Sequence, residues 1–495
     1  MATTTDYLNK LVTQKNTLAD NLVTKGVTAT HDETLETLVP KVLNISGGTS
    51  GGNGIYPIGK NGRPTGDVIV PSGVITLDKY VFSYNSNVIS ITFSEGLVST
   101  GSDACKNDVN LESVSLPSTF KTFGESTFES CGNLTTVNIP NEVTGLLMGQ
   151  RCFWGCSKLS NESANKLISK SSTIQNYAFS GCKNIKSIEI VATKFGNYCF
   201  QNCSGLTNVK LVNTDNYGSF GSGMFSNCIA LETVIMPHSY TTISDYMFKN
   251  TKIGTFTIPN TLTQIGLSAF EQCSSLSTIT IADEATFSIK NYAFDECSAL
   301  TNNVVQNIIS HASTLGYNIF SYCLGLTHLS IKFAGESMFQ YCTNLVSVEI
   351  SEPYKDKIQN SIFAGCTSLE NCILPNNATT IGINVFYNCT ALKTVYLPSS
   401  ITSAQNNSLS HSSSSYYIFK NCTALEDVQL GQDWNMSLSV NSSENLTVDS
   451  MVAMFNSLKD LTGETAKTLT LGSTNLAKLT DEQKAIAINK NWTLA

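Results

Sequence analysis

One phrase recurs along the chain: a phenylalanine, a cysteine three residues on, a leucine three further, then two alternating aliphatic residues. It reads Phe-x-x-Cys-x-x-Leu-x-x-Val-x-Leu and often closes on proline. Clear copies begin at Phe128, Phe153, Phe179, Phe200, Phe225, Phe270, Phe294, Phe320, Phe339, Phe363, Phe386 and Phe419. Degenerate copies run through Phe82/Asn85/Val88, Cys105/Asp108/Leu111 and Phe248/Thr251. The mean period is about 24 residues, and a fixed period of that size marks a solenoid, whose units bury their apolar faces only by stacking.

Within a unit, the Leu-x-x-Val-x-Leu half alternates with period two and predicts a short strand, with Val137 and Ile139 inward and Asn138 outward. Pro117, Pro140, Pro237, Pro259, Pro375 and Pro398 end such strands because proline has no N–H for a ladder. Segments such as Ile174–Phe179 and Ile289–Phe294 return the chain to the core. Parallel stacking at about 4.8 Å per coil sets each cysteine beside the next, a column whose S–H groups can reach turn carbonyls. Sixteen cysteines in 495 residues fall well short of the roughly 8–10% of a disulfide scaffold. There is no Cys-x-x-Cys, and a line of ligands makes no tetrahedron, so free thiols are expected rather than a metal or redox array. Cys105, Cys152, Cys199 and Cys372 lie off the column and read as packing.

The unit from Ile265-Gly266 through Ile281, Ile-Gly-x-x-Ala-Phe-x-x-Cys-x-x-Leu-x-x-Ile-x-Ile, resembles the BspA-like leucine-rich repeats of bacterial and protist surface proteins and of some phage tail proteins. The resemblance covers roughly residues 68–440. It implies a β-rich leucine-rich-repeat solenoid of about 15 coils over residues 68–445, with a short helical N-terminal segment and an α/β C-terminal cap.

The two ends do not repeat. In residues 1–46, Leu8, Leu11, Lys15, Leu18 and Leu22 fall at alternating three- and four-residue spacing, the seam of a short amphipathic helix that needs a partner. Gly26 stops it. A second amphipathic stretch carries Leu35, Leu38, Val42 and Ile45, with Asp32 as a cap and Pro40 as a break. Gly47–Gly54 opens a glycine-rich linker and entry region over residues 47–67. The pattern Leu-x-x-x-Lys-x-x-Leu, Lys25-Gly26-Val27, then Thr34-Leu35-x-x-Leu38 is similar to the leading segment of phage and prophage tail proteins. Residues 446–495 read as a cap. A helix is expected over Thr447–Leu461 and a strand at Thr468–Leu471. A capping box at Thr480-Asp-Glu-Gln483 opens a helix through Ile488, and a strand follows at Trp492.

Signals for chemistry are sparse. Thirty Lys and Arg against 38 Asp and Glu give a net charge of −8, with no electrostatic footprint for nucleic acid or anionic lipid. No apolar run reaches the roughly 18–20 residues of a membrane span, and the N-terminus lacks the basic-then-apolar pattern of a Sec signal. Gly54-x(4)-Gly59-Lys60 continues with Asn61 where a phosphate loop needs Ser or Thr, and no strand–loop–helix context surrounds it. His31, His238, His311, His328 and His411 are scattered. Asp283/Glu284 and Asp295/Glu296 sit near turns of adjacent coils and read as solvated turn pairs rather than a glycosidase pair. No catalytic residue, metal or cofactor is expected.

The surplus lies in one outward column of the strands: Asn138, Glu189, Lys210, Ile235, Glu349, Ile373, Tyr396 and Gln429, none required by the core. The loop Ser400–Tyr417, with Tyr416 and Tyr417, is either a tolerated insertion or a contact loop. The first function this suggests is a phage or prophage tail-associated receptor-binding protein. On a virion, the N-terminal helices would dock on other tail proteins or form a homo-oligomer, and the solenoid would touch a host cell-surface receptor, protein or glycan. The alternative is a BspA-like adhesin, on a bacterial surface or secreted; a depolymerase grafted on the solenoid comes third.

Overall fold

The computed structural model describes residues 4–24, 29–34, 64–191, 194–212, 220–237, 239–332, 334–351, 357–407, 409 and 417–495. The second amphipathic stretch, the glycine linker and the Gly54–Lys60 segment lie outside them. The chain divides into two compact units, Met1–Val212 and Asn213–Ala495. Both are leucine-rich-repeat solenoids of parallel strands with few helices.

In the first unit, helix α1 spans Thr4–Thr24. The repeats follow as two parallel ladders. The front ladder stacks Gly66–Val70, Val88–Phe93, Ser113–Ser115 and Thr136–Asn138. A back ladder of two- to four-residue strands runs from Thr76–Leu77 to Lys194–Phe195. Helix α2, Asn161–Lys170, takes the place of one front strand, and Ser187–Val191 then pairs with Asn208–Val212. In the second unit, Thr255–Ile258 pairs with Thr278–Ile281 and helix α3, Asn302–His311, replaces the next front strand. A five-strand ladder follows: His328–Ile331, Ser347–Ile350, Asn371–Ile373, Thr394–Leu397 and Asp427–Leu430. Helix α4, Val448–Ser457, packs on the last of these.

The period-two expectation holds. Val137 and Ile139 are buried and Asn138 is exposed. The repeat phenylalanines stack face to face inside each unit. Phe128, Phe153, Phe179 and Phe200 follow one another at 5.3, 5.5 and 5.5 Å between centroids. Phe225 through Phe419 do the same at 5.3 to 6.1 Å. The turn around each phenylalanine is tight. From Phe128 through Phe386, the residues two before and two after it carry positive φ, as with Ser126 (52°) and Ser130 (62°). Inter-coil bonds hold this conformation: Ser126, Phe128 and Ser130 N–H donate to the Gln150, Cys152 and Trp154 carbonyls.

All sixteen cysteines are free and buried. The column thiols donate across coils: Cys156 Sγ to the Phe128 carbonyl at 3.1 Å, Cys182 to Phe153 at 3.3 Å, Cys297 to Phe270 at 3.1 Å, Cys389 to Phe363 at 3.1 Å. Thr251 and Ser443 hold column positions with hydroxyl donors to Phe248 and Cys422 carbonyls. Burial pushes the thiols up, Cys273 to about 11 and Cys199 and Cys342 to about 12, so they remain protonated and are not nucleophiles.

Helices α2 and α3 depart from the sequence expectation of strands throughout. Ser160 caps α2 through Ser163 N–H, and Thr301 occupies the corresponding position before α3. A helix cannot extend a ladder, so its side-chain amides stand in for the missing backbone. Asn161 Oδ1 accepts from the N–H of Lys186 and Ser187, both at 2.9 Å. Asn165 bonds the Ser187 carbonyl and Glu189 N–H. In the second unit, Asn302 Oδ1 accepts from Thr327 and His328 N–H, and Gln306 Nε2 donates to the Ser330 carbonyl.

The C-terminal region contains the strands Leu438–Ser439, Lys467–Thr470 and Trp492–Leu494, in parallel. The short α5 is Ser473–Leu476, and α6, Asp481–Ile488, opens on the expected capping box of Thr480 and Gln483. Met451, Met454 and Phe455 are buried on α4 as expected. The helix stops short of Leu461 because Leu458 bridges to Trp434.

Candidate binding surface

The front sheet of the second unit gathers the outward residues into a row. Register places Ser330 beside Glu349, Glu349 beside Ile373, Ile373 beside Tyr396 and Tyr396 beside Gln429. A flanking row runs His328, Ser347, Asn371, Thr394 and Asp427. Helix α3 stands beyond the first strand, with Gln306 bonded to the Ser330 carbonyl at 2.7 Å. Helix and sheet enclose a cleft of about 350 Å³ whose lining includes Gln306, His328, Ser330, Glu349 and Ile373.

The cleft combines one apolar contact with polar groups of several kinds. Ile373 is 55% exposed on a strand otherwise fixed by buried Cys372, a position no core requirement explains. His328 Nδ1 lies 2.7 Å from Ser347 Oγ, while Glu349 presents an exposed carboxylate. Tyr396 is half-buried further along the row. Such a surface suits recognition, with aliphatic area for contact and fixed polar atoms for orientation.

The other sequence candidates lie outside this row or leave the surface. Asn138 is exposed on the front ladder of the first unit and donates to Ser115 Oγ. Glu189 and Lys210 face each other in register as an ion pair at 2.8 Å, both side chains half-exposed. Ile235 is exposed on Thr233–Ile235, and Ile69, absent from the sequence column, is exposed in the first unit. Tyr416 lies outside the described residues. Tyr417 corrects the expectation of a contact residue: it is fully buried, and its hydroxyl donates to the Ser439 carbonyl at 2.6 Å. The chain at Leu438–Ser439 comes back over it, a long-range contact. The start of the same loop is also regular, since Ser403–Ala404 pairs with Thr380–Ile381.

On α1, Leu22 is buried with Ala19 and Ala29, and Leu18 packs against them. Leu11 is 53% exposed and the side chain of Leu8 lies outside the described residues. Lys15 Nζ donates to the His31 carbonyl and the His31 ring lies 2.7 Å from Asp20 Oδ1, so the 29–34 turn folds onto the helix.

Among the described residues, no group of three or more His, Cys, Asp or Glu side chains comes together to hold a metal, and no helix is long and apolar enough to cross a membrane. Asp283 and Glu284 are solvated. Asp295 differs from its expectation: it is buried, and burial together with Glu296 and Glu271 raises its carboxyl to about 7.

Residues 61–186, 148–277, 218–334 and 288–415 each match the family described as BspA type Leucine rich repeat region (6 copies). The chain belongs to that family. No curated protein matches it. Among solved structures, a leucine-rich repeat protein from Bacteroides ovatus is similar at 21% identity and a TM-score of 0.45, over 75% of this chain and 92% of its own. A leucine rich cell surface protein from Faecalibacterium prausnitzii is similar at 21% identity and a TM-score of 0.35, over 76% and 92%. A leucine-rich repeat protein from Eubacterium ventriosum is similar at 18% identity and a TM-score of 0.42, over 68% and 88%. The matched residues include the strands of the row as far as Thr394–Leu397, and α3, which replaces a front strand, walls one end of it.

Proposed function

We propose that this BspA-type chain is a non-catalytic adhesin that binds a cell-surface protein or glycan through the front sheet of its second unit. The observation that supports this is the row Ser330–Glu349–Ile373–Tyr396–Gln429, walled at one end by α3 into a cleft. It concentrates outward residues that the core does not need on an otherwise conventional repeat. The test is binding of the full chain to intact cells and to protein and glycan arrays. The paired variant Glu349→Lys with Ile373→Asp should bind at least about tenfold more weakly, about 1.4 kcal/mol, at an unchanged melting temperature. Unchanged binding overturns the assignment of the face.

A second reading, a virion tail protein that recognises its host, draws on α1. Leu11 and Val12 are exposed on that helix and Val23 near its end, ahead of the repeats, apolar side chains available to a particle component or to further copies of the chain. Deleting residues 1–46 should then abolish incorporation into particles while binding to cells persists. Incorporation of the shortened chain excludes this reading, and light scattering on the two forms tests homo-oligomerisation.

A further inference from the structure

The overall charge of −8 averages over one positive stretch. Residues 151–212 hold eight Lys and Arg against Glu162 and Glu189, whereas residues 64–150 hold three Lys and Arg against nine Asp and Glu. Both stretches belong to the first unit. Glu189 is already paired with Lys210. Among the described residues, no ion pair engages Lys158, Lys183 or Lys186, and all three are exposed. They share one edge of two successive coils. Asn184, next to Lys183, donates from Nδ2 to the Lys158 carbonyl at 3.4 Å across the coils. Lys186 N–H donates to Asn161 Oδ1 at the start of α2. A Cβ on Gly205 of the following coil would lie 2.8 Å from Lys186 Nζ and would collide with the Lys183 carbonyl. The Lys186 ammonium therefore lies beside the Lys183 turn, in space that only glycine leaves.

Equivalent lysines in other coils are neutralised. Lys252 follows the column residue Thr251 as Lys183 follows Cys182, and Lys393 follows Leu392 as Lys186 follows Ile185. Lys252 pairs with Glu232 at 2.7 Å and Lys393 with Glu370 at 3.0 Å. Each glutamate follows the leucine of the preceding coil, Leu231 or Leu369. The coil before Lys183 and Lys186 has Ser160 at that position, and Ser160 caps α2. The helix start thus stands where the neutralising carboxylate would be. The apolar residues of this edge, Leu159 and Ile185, are buried, so it presents no aromatic or aliphatic anchor to a protein partner or to stacking bases. The acidic coils of residues 64–150 precede it and repel a broad anionic surface, a bilayer or a duplex, while a single narrow polyanion can follow the edge.

We propose that Lys158, Lys183 and Lys186 form a binding edge for an anionic glycan chain, in addition to the front sheet of the second unit. The lysines act as point charges on successive anionic groups of the polymer. The probe is fluorescein-labelled heparin, titrated by anisotropy against the full chain. Saturation below about 100 µM is expected at about 50 mM salt. Binding should weaken at least about tenfold at about 200 mM salt, because neutralising three charges releases condensed counterions. The triple variant Lys158→Gln, Lys183→Gln, Lys186→Gln should bind at least about tenfold more weakly at an unchanged melting temperature. The same three positions changed to arginine should bind as the native chain does, as should Lys252→Gln with Lys393→Gln. If the triple glutamine variant does not fold, the single reversal Lys183→Glu serves instead and should show the same loss. Absence of saturation overturns the proposal, as does undiminished binding by the folded variant. Equal binding of duplex DNA, single-stranded DNA or anionic phospholipid vesicles overturns the assignment to a glycan. The three lysines lie in the first unit, so these results stand or fall apart from the Ser330–Gln429 row.

Discussion

Most repeat phenylalanine carbonyls accept twice. The Phe128 carbonyl takes Cys131 N–H at 3.1 Å and the Cys156 thiol at 3.1 Å. A thiol suits this position because it is small and apolar enough for a sealed core yet still donates weakly. Cys297→Ala should cost about 1–2 kcal/mol in urea unfolding, from lost packing and one lost bond, and Cys297→Ser should recover part of it. A loss no larger than for an exposed-site control would mean the thiol bond contributes nothing. Asp295 is a contrasting residue. Its Oδ1 has no hydrogen-bond partner among the described residues, and desolvation raises its carboxyl to about 7. The folded state thus keeps a proton that the unfolded chain releases, so stability falls as pH rises from about 4 to about 7. Asp295→Asn should melt higher than the native chain at pH 8, with about 4 kcal/mol as a ceiling, and equal it below about pH 4. A stability gain independent of pH would refute the titration.

At the scale of elements, the helices that replace strands carry the burden of sheet continuity. Asn302 serves two N–H groups of the strand that follows α3, and Gln306 one carbonyl. Asn302→Ala should destabilise by about 1–2 kcal/mol and speed amide exchange at Thr327 and His328, with the rest of the unit unaffected; Asn302→Asp should keep the acceptor and most of the stability. Exchange unchanged at those two amides would show that water replaces the side chain without cost. The strands were legible in the sequence because period two and a period near 24 are local patterns. The helices were not read. Their signal was present as apolar triplets at i, i+3 and i+4, Ala164/Leu167/Ile168 and Val305/Ile308/Ile309, all buried. Glu349, Ile373 and Tyr396 were legible as outward positions, but their union with His328 and Gln306 was not, because it depends on register between coils and on the helix wall. Tyr417 was misread for a similar reason: its burial comes from a strand that follows it by some twenty residues.

For the molecule as a whole, the cysteine column couples redox state, pH and stability. Desolvation raises the thiols of Cys105, Cys131, Cys152, Cys156, Cys182 and Cys297, among others, so they remain protonated where an unfolded chain would ionise. A raised folded value means the contribution is intact below the unfolded thiol range and is lost as pH rises through it. Each such thiol then removes about 1.4 kcal/mol per pH unit above about pH 9. With more than ten acting together, one full unit of pH above that range removes more than about 14 kcal/mol, the upper end of the roughly 5–15 kcal/mol that holds a domain folded. The expected outcome is a steep alkaline transition between about pH 9 and pH 10, seen by circular dichroism, in which a thiol-reactive dye begins to consume cysteines. At neutral pH the dye should consume none, and a reducing agent should leave the melting temperature unchanged because no disulfide is present to break. Dye uptake by the folded chain at neutral pH, or a fold that persists to about pH 11, would mean the sulfur column is open to solvent rather than sealed by the stacked phenylalanines.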